Sequence, residues 1–139
     1  MAFYRKNPFE KYLTKEDRLH IAVVNYCKLK HSDKMCVHVP NEGKRTPFER
    51  WKVKVMGITK GFPDLIFPFQ RERIINNKVV VSCGLAIELK VIYANGSRNK
   101  ASKDQERVLI DLNKNGWETH VIWDFEAAIK VINEYFSLK

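Results

Sequence analysis

Apolar side chains recur along this chain in two periods, and the places where the period changes mark its elements. Leu19, Val23, Tyr26 and Cys27 fall three or four apart, which predicts an amphipathic helix over 15–29. Thr14 stands at its N-cap, with Asp17 three positions on and acidic Glu16 in the first turn. HSDK breaks the helix. MCVHVP is a short strand ended by Pro40, and NEGKRTPFER is a turn or loop. In WKVKVMGITKG the run WKVKV alternates like a strand. FPDLIFPF is a second short apolar strand starting near Pro63. QRERIINNK is a polar excursion in which RERII could extend a hairpin arm. VVVSCG and LAIELKVI are strand material interrupted at Gly84, and YANGSRNKA is a mobile-looking basic loop. Ser102 then caps a helix running to about Asn115. SKDQ is a capping-box pattern, Val108, Leu109 and Leu112 form the apolar stripe, and Gly116 stops it. ETHVIW is a strand. Asp124 caps a last helix, 125–136, with Phe125, Ala128, Ile129, Ile132 and Phe136 on its apolar face. The order helix, three strands, helix, strand, helix predicts a small α/β layer fold with a mixed sheet. The helical crossover before the last strand permits parallel pairing.

Composition adds size and sign. A chain of 139 residues is expected to form one domain over 1–139, with 1–13 as an irregular, partly basic arm. Hydrophobic residues at 45% and charged ones at 29% are a globular balance. The net charge of +9 favours a polyanionic partner, either nucleic acid or an anionic membrane face. No stretch approaches 18 uncharged apolar residues, so no membrane span is expected. The start, MAFYRKNPFEKY, has no apolar run and reads as no signal peptide. Cys27, Cys36 and Cys83 are odd in number and form no C-x-x-C pair. They read as small buried apolar residues of an intracellular protein.

The informative residues are polar ones inside apolar strands. In GLAIELK, Leu85, Ile87 and Leu89 fall on one face and Ala86, Glu88 and Lys90 on the other. Glu88 and Lys90 project side by side, about 7 Å apart at the backbone. A carboxylate and an ammonium in such a run are costly unless they serve a purpose. In GFPDLIF, Asp64 can stand at a strand start while Leu65 and Phe67 enter the core. If the two strands are neighbours, Asp64 and Glu88 converge. Two converging carboxylates could share a proton, or could bind a hard divalent cation with oxygen ligands. The second suits a basic protein. Mg²⁺ held by Asp64, Glu88, a backbone carbonyl beside Glu88 and waters would polarise a phosphodiester and acidify a water. Lys90 would orient that water or stabilise the developing charge.

GFPDLIF followed by GLAIELK resembles the PD-(D/E)xK nuclease superfamily. PNEGKR, KVMGITKGFPDLIF, GLAIELK, SKDQ and LNKNGWETHVIWDFEAAI together resemble its VRR-NUC group, from about Glu16 to about Tyr135. The resemblance implies a restriction-endonuclease-like layer fold, a central mixed sheet flanked by helices in the order α-β-β-β-α-β-α. It matches the metal-binding acids to Asp64 and Glu88, the catalytic lysine to Lys90, the helix-one glutamate to Glu16 and the glutamine after the catalytic strand to Gln105; the backbone carbonyl beside Glu88 is taken as that of Leu89. Glu16 would reach the metal through water. The group's members are structure-selective DNA endonucleases. Some stand alone in phages as dimers that cut branched DNA such as four-way junctions, acting in the bacterial cytoplasm, and others are modules of larger repair proteins. Mg²⁺, with Mn²⁺ as substitute, would be the cofactor. Where many relatives carry Gln four residues past the helix-one Glu, this chain has His20.

The surroundings read as phosphate contacts. Between Lys44 and Lys60 lie six basic residues (Lys44, Arg45, Arg50, Lys52, Lys54, Lys60) against Glu49 alone. From Lys90 to Lys103 lie four (Lys90, Arg98, Lys100, Lys103) and no acid. Asn41, Glu42 and Gly43 form a turn beside the site. Gln105 can serve the capping box and the site together. Trp51 could stack on a base or fill a core gap. Segment 69–83 could be a hairpin arm, an oligomer contact or a DNA-facing insertion. A basic α/β module that binds DNA without cutting it would share this charge distribution, and the acidic pair is what separates the two readings.

Overall fold

The computed structural model describes residues 7–40 and 43–137. After a single 3-10 turn at Glu10–Tyr12 the chain forms α1 (Lys15–Lys30), β1 (Val37–His38), α2 (Pro47–Val55), β2 (Leu65–Phe67), β3 (Arg71–Ile75) and β4 (Lys78–Ser82). It continues through β5 (Gly84–Leu89), α3 (Lys103–Lys114), β6 (Trp117–Ile122) and α4 (Phe125–Phe136). Four strands make one mixed sheet in the order β1-β2-β5-β6. The first two pairings are antiparallel and β5–β6 is parallel. The parallel pair requires a crossover, and α3 supplies it.

The helices begin where side chains can satisfy the first free amides. Thr14 with Asp17, and Ser102 with Gln105, form complete capping boxes, and Asp124 accepts from the Ala127 amide. One sheet face carries the core. Leu65, Phe67, Leu85, Ile87, Leu89 and Ile122 pack against Val23 and Cys27 of α1 and Ala128, Ile132 and Tyr135 of α4. Each fully buried aliphatic of this set contributes about 1.5–3 kcal/mol of burial. The face with Ala86 and Glu88 lies under α3, whose buried residues are Gln105, Val108 and Leu109.

The sheet flanked by helices is the predicted architecture, with a helix and a two-stranded hairpin added. The stretch read as loop and then strand, 47–55, is a helix. Its apolar positions Phe48, Trp51 and Val55 have helical spacing. Thr46 and Glu49 close a capping box, and Pro47 sits where proline's missing amide costs nothing. Segment 69–83 contains a hairpin, β3 paired antiparallel with β4. Asn76 and Asn77, at φ 51 and 62, make its two-residue turn. Two further expectations change. Cys27 is buried, but Cys36 is half-buried and Cys83 exposed. The basic loop is tied down: Ile92 and Arg98 form a bridge, the Trp123 indole N–H donates to the Asn99 carbonyl at 2.6 Å, and the Arg98 guanidinium stacks 5.0 Å from the Trp123 ring centre.

Candidate active site

The register of β2 against β5 pairs Leu65 with Ile87 and Ile66 with Ala86. One further step sets Asp64 across from Glu88, where opposed side chains share a face. Asp64 Oδ2 accepts a hydrogen bond from the Leu89 amide at 2.8 Å. Its carboxylate is thereby anchored to the backbone between Glu88 and Lys90. On the other side, the Val39 amide donates to the Asp64 carbonyl at 3.0 Å, so Asp64 is clamped by the strands on both flanks.

Glu88 is buried, and its Oε1 accepts from the Gln105 side-chain amide at 2.8 Å. The Lys90 ammonium lies 3.6 Å from the same oxygen and is buried as well. The Lys90 amide donates to the Ile122 carbonyl at 2.9 Å, extending the ladder one residue beyond β5. Gln105 makes two side-chain contacts here. Its Oε1 accepts from the Ser102 amide at 2.8 Å in the capping box, and its Nε2 holds Glu88. Gln105 thus braces Glu88.

Glu16 is half-buried in the first turn of α1. Its neighbour Lys15 donates to the Ile92 carbonyl at 2.6 Å and lines, with Leu19, Lys90 and Trp123, a cavity of about 270 Å³. The first turn of α1 is therefore beside the Lys90 end of the site. Among the described residues no three His, Cys, Asp or Glu side chains gather as a metal-binding group. The donor set is two opposed carboxylates with the backbone of Leu89 between Glu88 and Lys90. Such hard oxygen donors fit a divalent cation that keeps part of its water shell.

Three contributors escape a pattern-based reading. His38 Nδ1 is 3.4 Å from the Asp64 carbonyl, and the His20 ring meets the His38 ring edge-on at 4.5 Å. Burial and then His38 push the His20 pKa below its ordinary value, against the pull of Asp64 and Asp17. Gly61 is the third. At φ +85, a Cβ there would lie 2.6 Å from the Asp104 backbone and 2.7 Å from the Gln105 amide nitrogen. Only glycine lets this loop seat against the start of α3, which carries Gln105. The G-x-P-D spacing held that signal.

Lys44, Lys52, Lys54, Lys60, Arg98, Lys100 and Lys103 are exposed, and Arg45 is half-buried, donating to the Pro40 carbonyl at 3.0 Å. Asn41 lies outside the described residues. Lys60 pairs with Asp104 at 3.3 Å, joining one basic segment to the first turn of α3 next to Lys103. Trp51 is exposed and fills no core gap. Among the described residues no helix is long and apolar enough to cross a membrane.

No protein-family model matches the chain, and a search of curated proteins finds no match. Among solved structures the chain is similar to a protein described as a "VRR_NUC domain protein". The two are 26% identical, 89% of each chain is covered, and the TM-score is 0.67.

Proposed function

We propose that this chain, which has the VRR-NUC nuclease fold, is a metal-dependent endonuclease that hydrolyses phosphodiester bonds in branched DNA. The observation that carries the reading is the Asp64–Glu88–Lys90 constellation: a carboxylate clamped to the Leu89 amide, opposite a buried carboxylate that shares its Oε1 with Gln105 and Lys90. A pure DNA binder gains nothing from carboxylates turned toward phosphate, because without a cation they repel it.

Asp64, Glu88 and the Leu89 carbonyl would hold Mg²⁺, or Mn²⁺ in its place, with Glu16 reaching it through water. The bound cation supplies Lewis acidity and a more acidic water. Lys90 stands beside Glu88 to orient the attacking water and to stabilise charge growing on the phosphoryl oxygens. Water attacks phosphorus in line; one P–O bond forms as the P–O bond to the leaving oxygen breaks. Gln105 keeps Glu88 in one rotamer. Lys44, Arg45, Lys52, Lys54, Lys60, Arg98, Lys100 and Lys103, with Asn41, contact the backbone phosphates of the substrate. A homodimer would present two such sites to a four-way junction.

The test is cleavage of a four-way junction, a flap and a plain duplex by the wild type and Asp64→Ala, with and without Mg²⁺. The wild type cuts the branched substrates only with the metal, and the variant loses at least about a thousandfold of that rate. Undiminished cutting by Asp64→Ala, or after thorough chelation, overturns the assignment. Sedimentation on junction DNA checks the dimer, and a stable monomer there counts against paired cutting.

A further inference from the structure

We infer that α2 is a stacking platform for an unpaired DNA base, with Trp51 and Phe48 as its aromatic surface. The inference rests on the nuclease reading and adds to it a device for telling branched DNA from plain duplex. α2 has no buried residue. Phe48, Trp51 and Val55 are 65%, 60% and 61% exposed and share one face at positions i, i+3 and i+7. The Phe48 and Trp51 rings lie 6.0 Å apart, tilted by 35°. A nine-residue helix is marginal alone in water, and one ordinarily turns such a stripe inward. Here the stripe faces out.

Charge identifies the occupant. Arg50, Lys52 and Lys54 lie on the same helix, and Lys44, Arg45 and Lys60 flank it. The helix's one acid, Glu49, is taken up in the cap with the Thr46 amide. A second copy of the chain, itself at +9, would bring like charge to this surface. A ligand that is anionic along its length and offers flat apolar rings meets both halves of the surface, and nucleic acid with an unstacked base is such a ligand. Bases inside a continuous duplex are already stacked, whereas a single-stranded flap, gap or bulge can offer one. The platform is also joined to the chemistry. From α2 the chain runs through 56–63 into Asp64, and on the way Lys60 pairs with Asp104 while Gly61 seats against the Asp104–Gln105 backbone.

The experiment measures binding by fluorescence anisotropy, on the full chain with Ca²⁺ replacing Mg²⁺. The probes are a plain duplex and the same duplex carrying a single-stranded branch. Trp51→Ala weakens binding of the branched probe about tenfold and leaves duplex binding within about twofold, while Trp51→Phe keeps most of the preference. Lys52→Ala/Lys54→Ala weakens both probes alike. Because Trp51 is exposed, Trp51→Ala melts with the wild type. Equal loss on both probes, or no loss on either, overturns the stacking site while the nuclease reading stands. Conversion of a dimer to a monomer by Trp51→Ala in sedimentation also overturns it, making the stripe a subunit contact. A wild type that binds neither probe overturns both readings.

Discussion

Glu88 and Lys90 lie deeper in the molecule than Arg73 and Glu118, yet they stand further apart. The first pair is 2% and 8% exposed in its side chains at 3.6 Å; the second is 15% exposed at Glu118 and 35% at Arg73, at 2.7 Å. The two sit on opposite faces of the same sheet, since Glu118 aligns with Leu85 on the core side and Glu88 faces α3. Glu118 gives one oxygen to Arg73 and the other to His120, at 3.2 Å. Both Glu118 oxygens are thus engaged. Desolvation grows with burial, so an ion pair kept for stability needs its tightest geometry where it is deepest. The chain does the reverse. The deep pair's geometry is therefore not the one that stability alone would select, and the shallow pair ties β3 to β6.

The comparison breaks or holds most visibly when each pair is removed whole. Glu88→Gln/Lys90→Met deletes both buried charges and leaves Gln105 an amide oxygen to donate to. Cleavage should fall by at least about a thousandfold, while the melting temperature stays level or rises, because uncharging a buried pair is often neutral or stabilising. Arg73→Met/Glu118→Gln should cut within about twofold of the wild type and melt lower. A Glu88→Gln/Lys90→Met protein that still cuts, or that melts far below the Arg73→Met/Glu118→Gln protein, would erase the distinction.

A smaller effect separates the two duties of Gln105. Gln105→Glu keeps a good capping-box residue at the third helical position. It also sets a second carboxylate against Glu88. The expectation is a rate loss of about 10–100-fold, the usual cost of disturbing the partner of a metal-holding side chain. Without metal the melting temperature should fall, because a second buried carboxylate faces Glu88, and the Mg²⁺ dependence of the rate should change. Full activity in Gln105→Glu would reduce Gln105 to a cap.

How far the sequence reaches depends on the range of the interaction. Thr14 with Asp17, Ser102 with Gln105 and Asp124 with Ala127 are contacts three residues apart, so α1, α3 and α4 are legible within a residue or so. The same rule applied to Thr46 and Glu49 identifies α2. WKVKV carries both periods at once, and the cap rather than the alternation decides between them. The Asn76–Asn77 turn likewise marks the hairpin. The site is a different matter. Gln105 to Glu88 spans 17 residues and Asp64 to Leu89 spans 25. Nothing in either segment specifies that β2 pairs with β5 and not with β3. Alternation put Glu88 and Lys90 on one face, but their meeting with Asp64 came from resemblance to a known family. His38 beside the Asp64 carbonyl was legible from neither.

The smallest effect sharpens the shallow cluster's side of the comparison. The His120 hydrogen bond, then the Arg73 and Arg71 charges, hold the Glu118 carboxyl below its ordinary pKa, and burial opposes them only in part. A carboxylate depressed in the folded state stabilises the fold above its unfolded pKa, near 4.3. That contribution is lost as pH falls through the folded value. Denaturation midpoints followed from neutral pH down through 4 should therefore show an acid limb in the wild type that is shallower in Glu118→Gln. Cleavage at neutral pH should be the same in both, because the titrating group lies across the sheet from Glu88. Superimposable limbs would mean that Glu118 stabilises the fold by its shape and hydrogen bonds and not by its charge. The contrast with the Glu88–Lys90 pair would then rest on geometry alone.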